Sequence, residues 1–190
     1  MDRVRYDRFD VESVNVDLAA GTATATWITS FRTIDGVFSP ETEDFTDTLI
    51  SIEHVRGSQE GDDTLSGAAS DDIFEGEGGN DVLRGLTGDD TLYGGAGNDD
   101  IVANQGLDFV LGEDGDDRID AGLDADSVSG GNGNDTIFGG GGFDTLRGGD
   151  GDDTVVGGDG RDSVFLGGGD DLFADNTQGC LLYTSPSPRD

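Results

Sequence analysis

The sequence predicts an all-β protein built as a stacked solenoid. Three observations carry this. An aspartate stands at every ninth position from residue 63 to residue 171, thirteen in all. An apolar residue follows each of them two positions later. Glycine occupies the position two before the aspartate in eleven of the thirteen units. A fixed short period with one charged and one apolar slot builds repeated coils, not a globular core.

Residues 1–57 read as an N-terminal β cap and lead-in. Val14, Val16 and Leu18 alternate with Asn15 and Asp17, and Ala20-Gly21 reads as a turn. Thr22, Thr24 and Thr26 alternate again and run into Trp27, Ile28 and Phe31. That alternation predicts a β-hairpin. Residues 36–47, around Pro40, read as an acidic loop. Leu49, Ile50, Ile52 and Val55 form a short apolar run into the repeats. A stack needs its first core layer covered, and the hairpin is assigned that role. Asp2-Arg3-Val4 has the same aspartate–x–apolar pattern, so the array is expected to continue upstream from an interrupted repeat.

Residues 58–174 divide into thirteen nine-residue units without an insertion. Slot six carries Asp63, Asp72, Asp81, Asp90, Asp99, Asp108, Asp117, Asp126, Asp135, Asp144, Asp153, Asp162 and Asp171. Slot eight carries Leu65, Phe74, Leu83, Leu92, Ile101, Val110, Ile119, Val128, Ile137, Leu146, Val155, Val164 and Phe173. Slot four is glycine except at Ser70 and Asp124. Glycine there predicts a tight turn of positive φ that aims backbone carbonyls inward. The three residues around slot eight, such as Thr136-Ile137-Phe138, predict a very short strand with its middle side chain facing in.

Slot five divides the units into two sets. In odd-numbered units it is Asp62, Asn80, Asn98, Asp116, Asn134, Asp152 and Asp170. In even-numbered units it is Asp71, Asp89, Leu107, Ala125, Phe143 and Arg161. A difference that alternates between units predicts a coil turn of eighteen residues with two unlike edges.

The chain has 42 acidic residues and 10 basic ones, a formal charge of -32. Nucleic acid and anionic membrane surfaces need a cationic footprint and are excluded as expected partners. Dense carboxylate instead favours a hard cation that takes oxygen ligands, with calcium accepting about six to eight of them. The repeats alone carry 29 acidic residues against four Arg. Their core offers one apolar side chain per nine residues, which predicts an expanded chain that folds when metal binds.

Gly130-Gly-Asn-Gly-Asn-Asp-Thr-Ile-Phe138 and Gly148-Gly-Asp-Gly-Asp-Asp-Thr-Val-Val156 are the clearest units. They resemble the haemolysin-type calcium-binding, or RTX, nonapeptide family. The lead-in Asp47-Thr-Leu-Ile-Ser-Ile-Glu-His-Val-Arg-Gly57 and the segment Val16-Asp-Leu-Ala-Ala-Gly-Thr-Ala23 also resemble sequences that precede such arrays. The resemblance implies a parallel β-roll, a calcium-binding β-solenoid with two nonapeptides per turn. It implies the thirteen slot-six aspartates as metal ligands, with calcium held between loops two units apart and up to about eleven such sites. Six and a half turns at roughly 4.8 Å would make a rod about 30 Å long. It further implies secretion by a one-step, type I system, with folding outside the cell. The expected parent is a larger secreted bacterial toxin or adhesin. The alternative is the non-catalytic C-terminal domain of a secreted metalloprotease or lipase. Any extracellular or cell-surface partner would be engaged through the rest of that protein.

Catalytic signatures are not expected in these residues. His54 is the single histidine, and neither H-E-x-x-H nor G-x-S-x-G occurs. His54 reads as an ordinary residue of the lead-in strand. Slot-nine residues Phe138, Val156 and Phe165 read as cover for neighbouring turns. The scattered slot-seven threonines, Thr64, Thr91, Thr136, Thr145 and Thr154, do not make the flat face of an ice-binding solenoid. No apolar run is long enough to span a bilayer. The first twenty residues lack the apolar stretch of a secretory signal. Residues 175–190 form a tail. Within it, residues 180–190 fit nothing before them and resemble a translated sequencing adapter, which would make Cys180 non-native.

Overall fold

Two parallel sheets, wound from alternating strands of one coil, enclose the apolar slots. The computed structural model describes residues 3–5, 11–17, 19–20, 22–34, 37–48, 54–174 and 182–184. Before the repeats come β1 (Arg3–Arg5), β2 (Val11–Asp17), β3 (Thr22–Ile34), β4 (Val37–Thr48) and β5 (His54–Arg56). The repeats supply β6 (Thr64–Ser66), β7 (Ile73–Gly78), β8 (Val82–Thr87), β9 (Thr91–Ala96), β10 (Asp100–Gln105), β11 (Phe109–Asp114) and β12 (Arg118–Leu123). They continue through β13 (Ser127–Asn132), β14 (Thr136–Gly142), β15 (Thr145–Asp150), β16 (Thr154–Gly160), β17 (Ser163–Gly168) and β18 (Leu172–Ala174). A last strand, β19 (Leu182–Thr184), lies in the tail.

One sheet runs β1-β5-β7-β9-β11-β13-β15-β17-β19, and the other β18-β16-β14-β12-β10-β8-β6-β2-β3-β4. Leu83 faces Ile101, and Ile101 faces Ile119, in parallel register. Partners are therefore two units apart, and the fold is a parallel β-solenoid with two nonapeptides per turn. No described residue is helical.

Slot eight forms the core. The side chains from Leu65 to Val164 are fully or almost fully buried in one continuous cluster, against which Phe173 packs half-buried at the last turn. Two ladders meet there: the leucine, isoleucine and valine rungs of one sheet, and the Phe74, Leu92, Val110, Val128, Leu146 and Val164 rungs of the other. Slot one is buried beside them, usually as glycine, but as Ser58, Ala103, Ala121 and Leu166 in four units.

The N-terminal strands extend both ladders. β2 lies parallel to β6 with the buried Val16 opposite Leu65. β3 returns antiparallel to β2, forming the expected hairpin. Asp17 Oδ1 accepts the Ala20 N–H at 2.8 Å and closes the turn. β1 lies parallel to β5 with Val4 opposite Val55. Leu18, Gly21, Leu49, Ile50, Ile52, Asp2 and Cys180 lie outside the described residues.

The acidic loop expected over residues 36–47 is instead a strand. β4 pairs antiparallel with β3 over its whole length. It is the last strand of its sheet, and an edge strand tolerates proline and acidic residues that a central strand would not. Valine, phenylalanine and threonine within it supply β propensity that its charge and proline masked.

The slot-four turns take the positive φ expected of glycine, at Gly79, Gly88, Gly97, Gly106, Gly115, Gly133, Gly151, Gly160 and Gly169. Slot two also has positive φ, which was not foreseen. Glu77, Leu86, Asn104 and Glu113 occupy it at φ of 80, 82, 82 and 81°. At Gly97 a side chain would overlap the Gly79 carbonyl. Gly97→Ala is therefore expected to lower the stability of the folded roll by about 2–3 kcal/mol. Gly141→Ala is the control: its nearest neighbour would be a Leu123 methyl at 3.5 Å, and its φ is ordinary. It should change stability by less than about 0.5 kcal/mol when both variants are unfolded with urea.

Candidate metal centre

The solenoid places the slot-six aspartates on two edges. The odd edge is made by loops at 61–63, 79–81, 97–99, 115–117, 133–135, 151–153 and 169–171. The even edge is made by loops at 70–72, 88–90, 106–108, 124–126, 142–144 and 160–162. Each aspartate turns inward, and those from Asp63 to Asp153 are at most 3% exposed.

From Asp81 onward, Oδ1 of each aspartate reaches back one turn and accepts the backbone N–H of the aspartate eighteen residues earlier. On the odd edge these bonds run from Asp63 N to Asp81 at 2.8 Å through to Asp153 N to Asp171 at 3.1 Å. On the even edge they run from Asp72 N to Asp90 at 2.8 Å through to Asp144 N to Asp162 at 3.1 Å. Together they serve all eleven pairs of units two apart.

Oδ2 is left without a partner. At Asp81, Asp90, Asp99, Asp108, Asp117, Asp126, Asp135, Asp144 and Asp153 this oxygen is buried and accepts no hydrogen bond. In seven of these nine units it lies against the slot-one glycine; the units of Asp108 and Asp126 have Ala103 and Ala121 at that slot. Beside Gly94, a side chain's first carbon would sit 2.8 Å from the Gly112 carbonyl oxygen and closer still to Asp99 Oδ2. Beside Gly85 the same point lies 2.9 Å from the Ala103 carbonyl and against Asp90 Oδ2. A carboxylate oxygen and a carbonyl oxygen thus share a small cradle with no donor between them. Buried acceptors of this kind are costly unless a cation joins them. The donor set is all oxygen, which suits calcium.

Among the described residues no three acidic, histidine or cysteine side chains gather as a ready metal cluster. The ladder supplies one carboxylate per rung, and backbone carbonyls must complete any coordination shell. Glycine at slot one keeps those carbonyls within reach.

The end aspartates differ. Asp63 Oδ2 accepts the Ser58 N–H at 2.6 Å, and the Ser58 hydroxyl lies 3.0 Å from both carboxylate oxygens. Asp72 Oδ2 accepts the Ala68 N–H at 2.9 Å. Asp162 is 6% exposed and Asp171 is half-buried. Sequence period alone could not separate these from the nine interior members. The signal lay in Ser58 and in one extra residue of the lead-in, since Val55 pairs with Phe74 at a spacing of nineteen.

Burial sets the protonation of the ladder. It raises the carboxyls above their ordinary 3.8, partly offset by the N–H bond from the earlier turn and reinforced by neighbouring carboxylates. Asp81, Asp144 and Asp153 are pushed up to about 6, and Asp90, Asp99, Asp117 and Asp126 to about 7. Asp108 and Asp135 shift the same way. The metal-free fold therefore holds more protons than the unfolded chain. Its stability is fullest below about 3.8 and is lost as pH rises through about 6 to 7. Without metal, circular dichroism should show more β structure near about pH 5 than near about pH 8. With calcium the order should reverse, because metal and proton compete for the same oxygens.

Slot five forms a second, outer ladder on the odd edge. The N–H groups of Asn80, Asn98, Asp116, Asn134, Asp152 and Asp170 each donate to the slot-five side-chain oxygen one turn earlier, at 2.7–2.9 Å. On the even edge only Asp89 N to Asp71 and Leu107 N to Asp89 exist, at 2.9 and 2.8 Å. Leu107, Ala125 and Phe143 have no side-chain oxygen to continue it. The alternation read from the sequence is thus a difference in loop bonding.

Other features lie apart from the ladders. His54 Nε2 is 2.7 Å from Glu75 Oε1 in the outer face of the first sheet, near Arg56 and Glu77. Arg118 covers the Phe138 ring and Arg147 the Phe165 ring, each with its guanidinium carbon 5.2 Å from the centroid. An open trough of about 1140 Å³ on the same sheet is floored by Gly131, Gly149 and Gly167 beside Phe165 and Leu111. No described helix is long and apolar enough to cross a membrane.

Family comparison agrees with this geometry. Residues 59–83, 75–110, 103–137, 111–146 and 138–173 match the RTX calcium-binding nonapeptide repeat. The chain belongs to the RTX, haemolysin-type calcium-binding family. Comparison with individual curated proteins finds no match. The RTX repeats account for the solenoid, for both ladders and for the all-oxygen cradles. Calcium is the ion these repeats bind.

Proposed function

We propose that this chain is a calcium-driven folding module of a larger secreted bacterial protein of toxin or adhesin type. The observation that carries the calcium part is the run of nine buried Oδ2 atoms without partners, from Asp81 to Asp153. Those nine aspartates would hold the ions, together with slot-one and neighbouring loop carbonyls. Asp63, Asp72, Asp162 and Asp171 complete the thirteen at the ends. Bound calcium would supply positive charge between paired oxygens, with up to about eleven ions between loops. In this reading residues 1–57 cap the stack, residues 58–174 bind metal, and residues 180–190 derive from an adapter.

Secretion rests on the habit of RTX repeats in exported proteins. Calcium-poor cytosol would keep such a chain unfolded for passage, and calcium outside would fold it. No catalytic role is assigned to these residues; a protease or lipase motif in the parent protein would move the reading to an accessory domain.

Isothermal titration with calcium and with magnesium tests the metal assignment. Calcium should bind with a large heat, several ions per chain, while magnesium at equal concentration should bind far more weakly, because it demands tighter octahedral geometry. Equal binding of both ions would refute a calcium-selective ladder.

A further inference from the structure

We propose that the calcium positions fall into two classes, eight tight and three weak, and that the outer slot-five ladder sets the division. The proposal rests on the calcium reading above and concerns which residues hold its loops in place.

At each odd-edge junction, two hydrogen bonds clip neighbouring loops together. Between loops 79–81 and 97–99, Asn98 N–H donates forward-to-back to Asn80 Oδ1 at 2.9 Å. Asp81 N–H donates the opposite way to Asp99 Oδ1 at 2.7 Å. The two side chains at slots five and six therefore reach in opposite directions along the stack. All six odd junctions are doubly clipped in this way.

The even edge is doubly clipped only at its first two junctions, through Asp71 and Asp89. The next three, joining loops 106–108, 124–126, 142–144 and 160–162, keep only the slot-six bond.

Two further observations fall on the same stretch. Ala103 and Ala121 place methyl groups at slot one, where the other even-numbered units have glycine beside Oδ2; on the odd edge only the two end units, with Ser58 and Leu166, depart from glycine. Asp124 occupies a slot-four turn at φ 78°, a left-handed conformation that glycine, the usual residue at this slot, takes at lower cost. The loops there are also unusual in surface: Leu107, Leu123 and Phe143 are 58, 54 and 67% exposed. A loop held by one clip, with a narrowed cradle, must order more of itself when an ion binds. Its site fills last and empties first. Slot-five residues act here as positioning residues, since they hold the loop backbone and not the ion.

Hydrogen–deuterium exchange of the full chain during stepwise calcium addition reads each loop separately. The odd-edge loops should become protected together. Loops 124–126 through 160–162, which take part only in singly clipped junctions, should need at least about fivefold more calcium, the equivalent of one net hydrogen bond. Charge-neutral grafting of Leu107→Asn, Ala125→Asn and Phe143→Asn should bring the even-edge midpoint toward the odd-edge value. Asn98→Ala should weaken protection of its own edge about fivefold, and Asn98→Asp should restore it. Protection of every loop at one calcium concentration would overturn the proposal, as would an even edge unmoved by the three asparagines. A chain in which calcium protects no loop would instead refute the calcium reading itself.

Discussion

Chelation of calcium at neutral pH is expected to abolish most of the far-UV β signal of residues 58–174. The solenoid has one buried apolar side chain per nine residues, too thin a core to order so long a chain alone. The repeats carry a formal charge of -25, and nine buried carboxylate oxygens lack a donor. About eleven divalent ions would bring about +22 into the same space, nearly cancelling the repulsion. Binding to the folded state alone adds about 2.7 kcal/mol per site at about a hundred times the dissociation constant. Sites linked by shared loops should fill and empty together over most of the stack. A calcium titration followed by circular dichroism should therefore show a steep gain of β structure. A β signal indifferent to strong chelator would contradict this.

Asp99→Asn is expected to move stability in opposite directions with and without calcium. The asparagine oxygen can keep the 2.7 Å bond from Asp81 N–H. Its amide then replaces the orphaned Oδ2 with a donor, next to the Gly112 carbonyl. The metal-free roll no longer needs to take up a proton at this position, where burial has pushed the carboxyl's pKa up to about 7. It should gain about 1–3 kcal/mol wherever that roll is populated, as at mildly acid pH. The calcium-saturated roll loses a ligand and its charge, and should be less stable by more than that amount. Urea unfolding with calcium and with chelator measures both. A loss of similar size in both conditions would make Asp99 a structural residue only.

Much of this fold was legible because the chain repeats itself. Asp81, Leu83 and Gly79 recur with their neighbours at nine, so inward carboxylate, core side chain and turn could each be assigned by position. The eighteen-residue turn was legible from slot five, where Asn80, Asn98 and Asn134 stand apart from Leu107, Ala125 and Phe143. What that difference does was not legible, because a hydrogen bond between residues 80 and 98 exists only once the coils stack. The slot-two turns were hidden because Glu77, Leu86, Asn104 and Glu113 stand where later units have glycine. Residues 37–48 were misread because edge strands tolerate the proline and acidic residues that otherwise signal a loop. The closure of Asp63 by Ser58 depends on one extra residue before the array, which breaks the period that made everything else readable.

The orphaned oxygens of the aspartate ladders are the proposed calcium ligands. Native mass spectrometry of the chain at increasing calcium counts the ions directly, and the charge distribution reports compaction in the same spectrum. A compact species carrying up to about eleven calcium ions is expected, with few intermediates at low occupancy. A compact chain that carries no calcium, or an expanded chain that binds many ions without compacting, would contradict it.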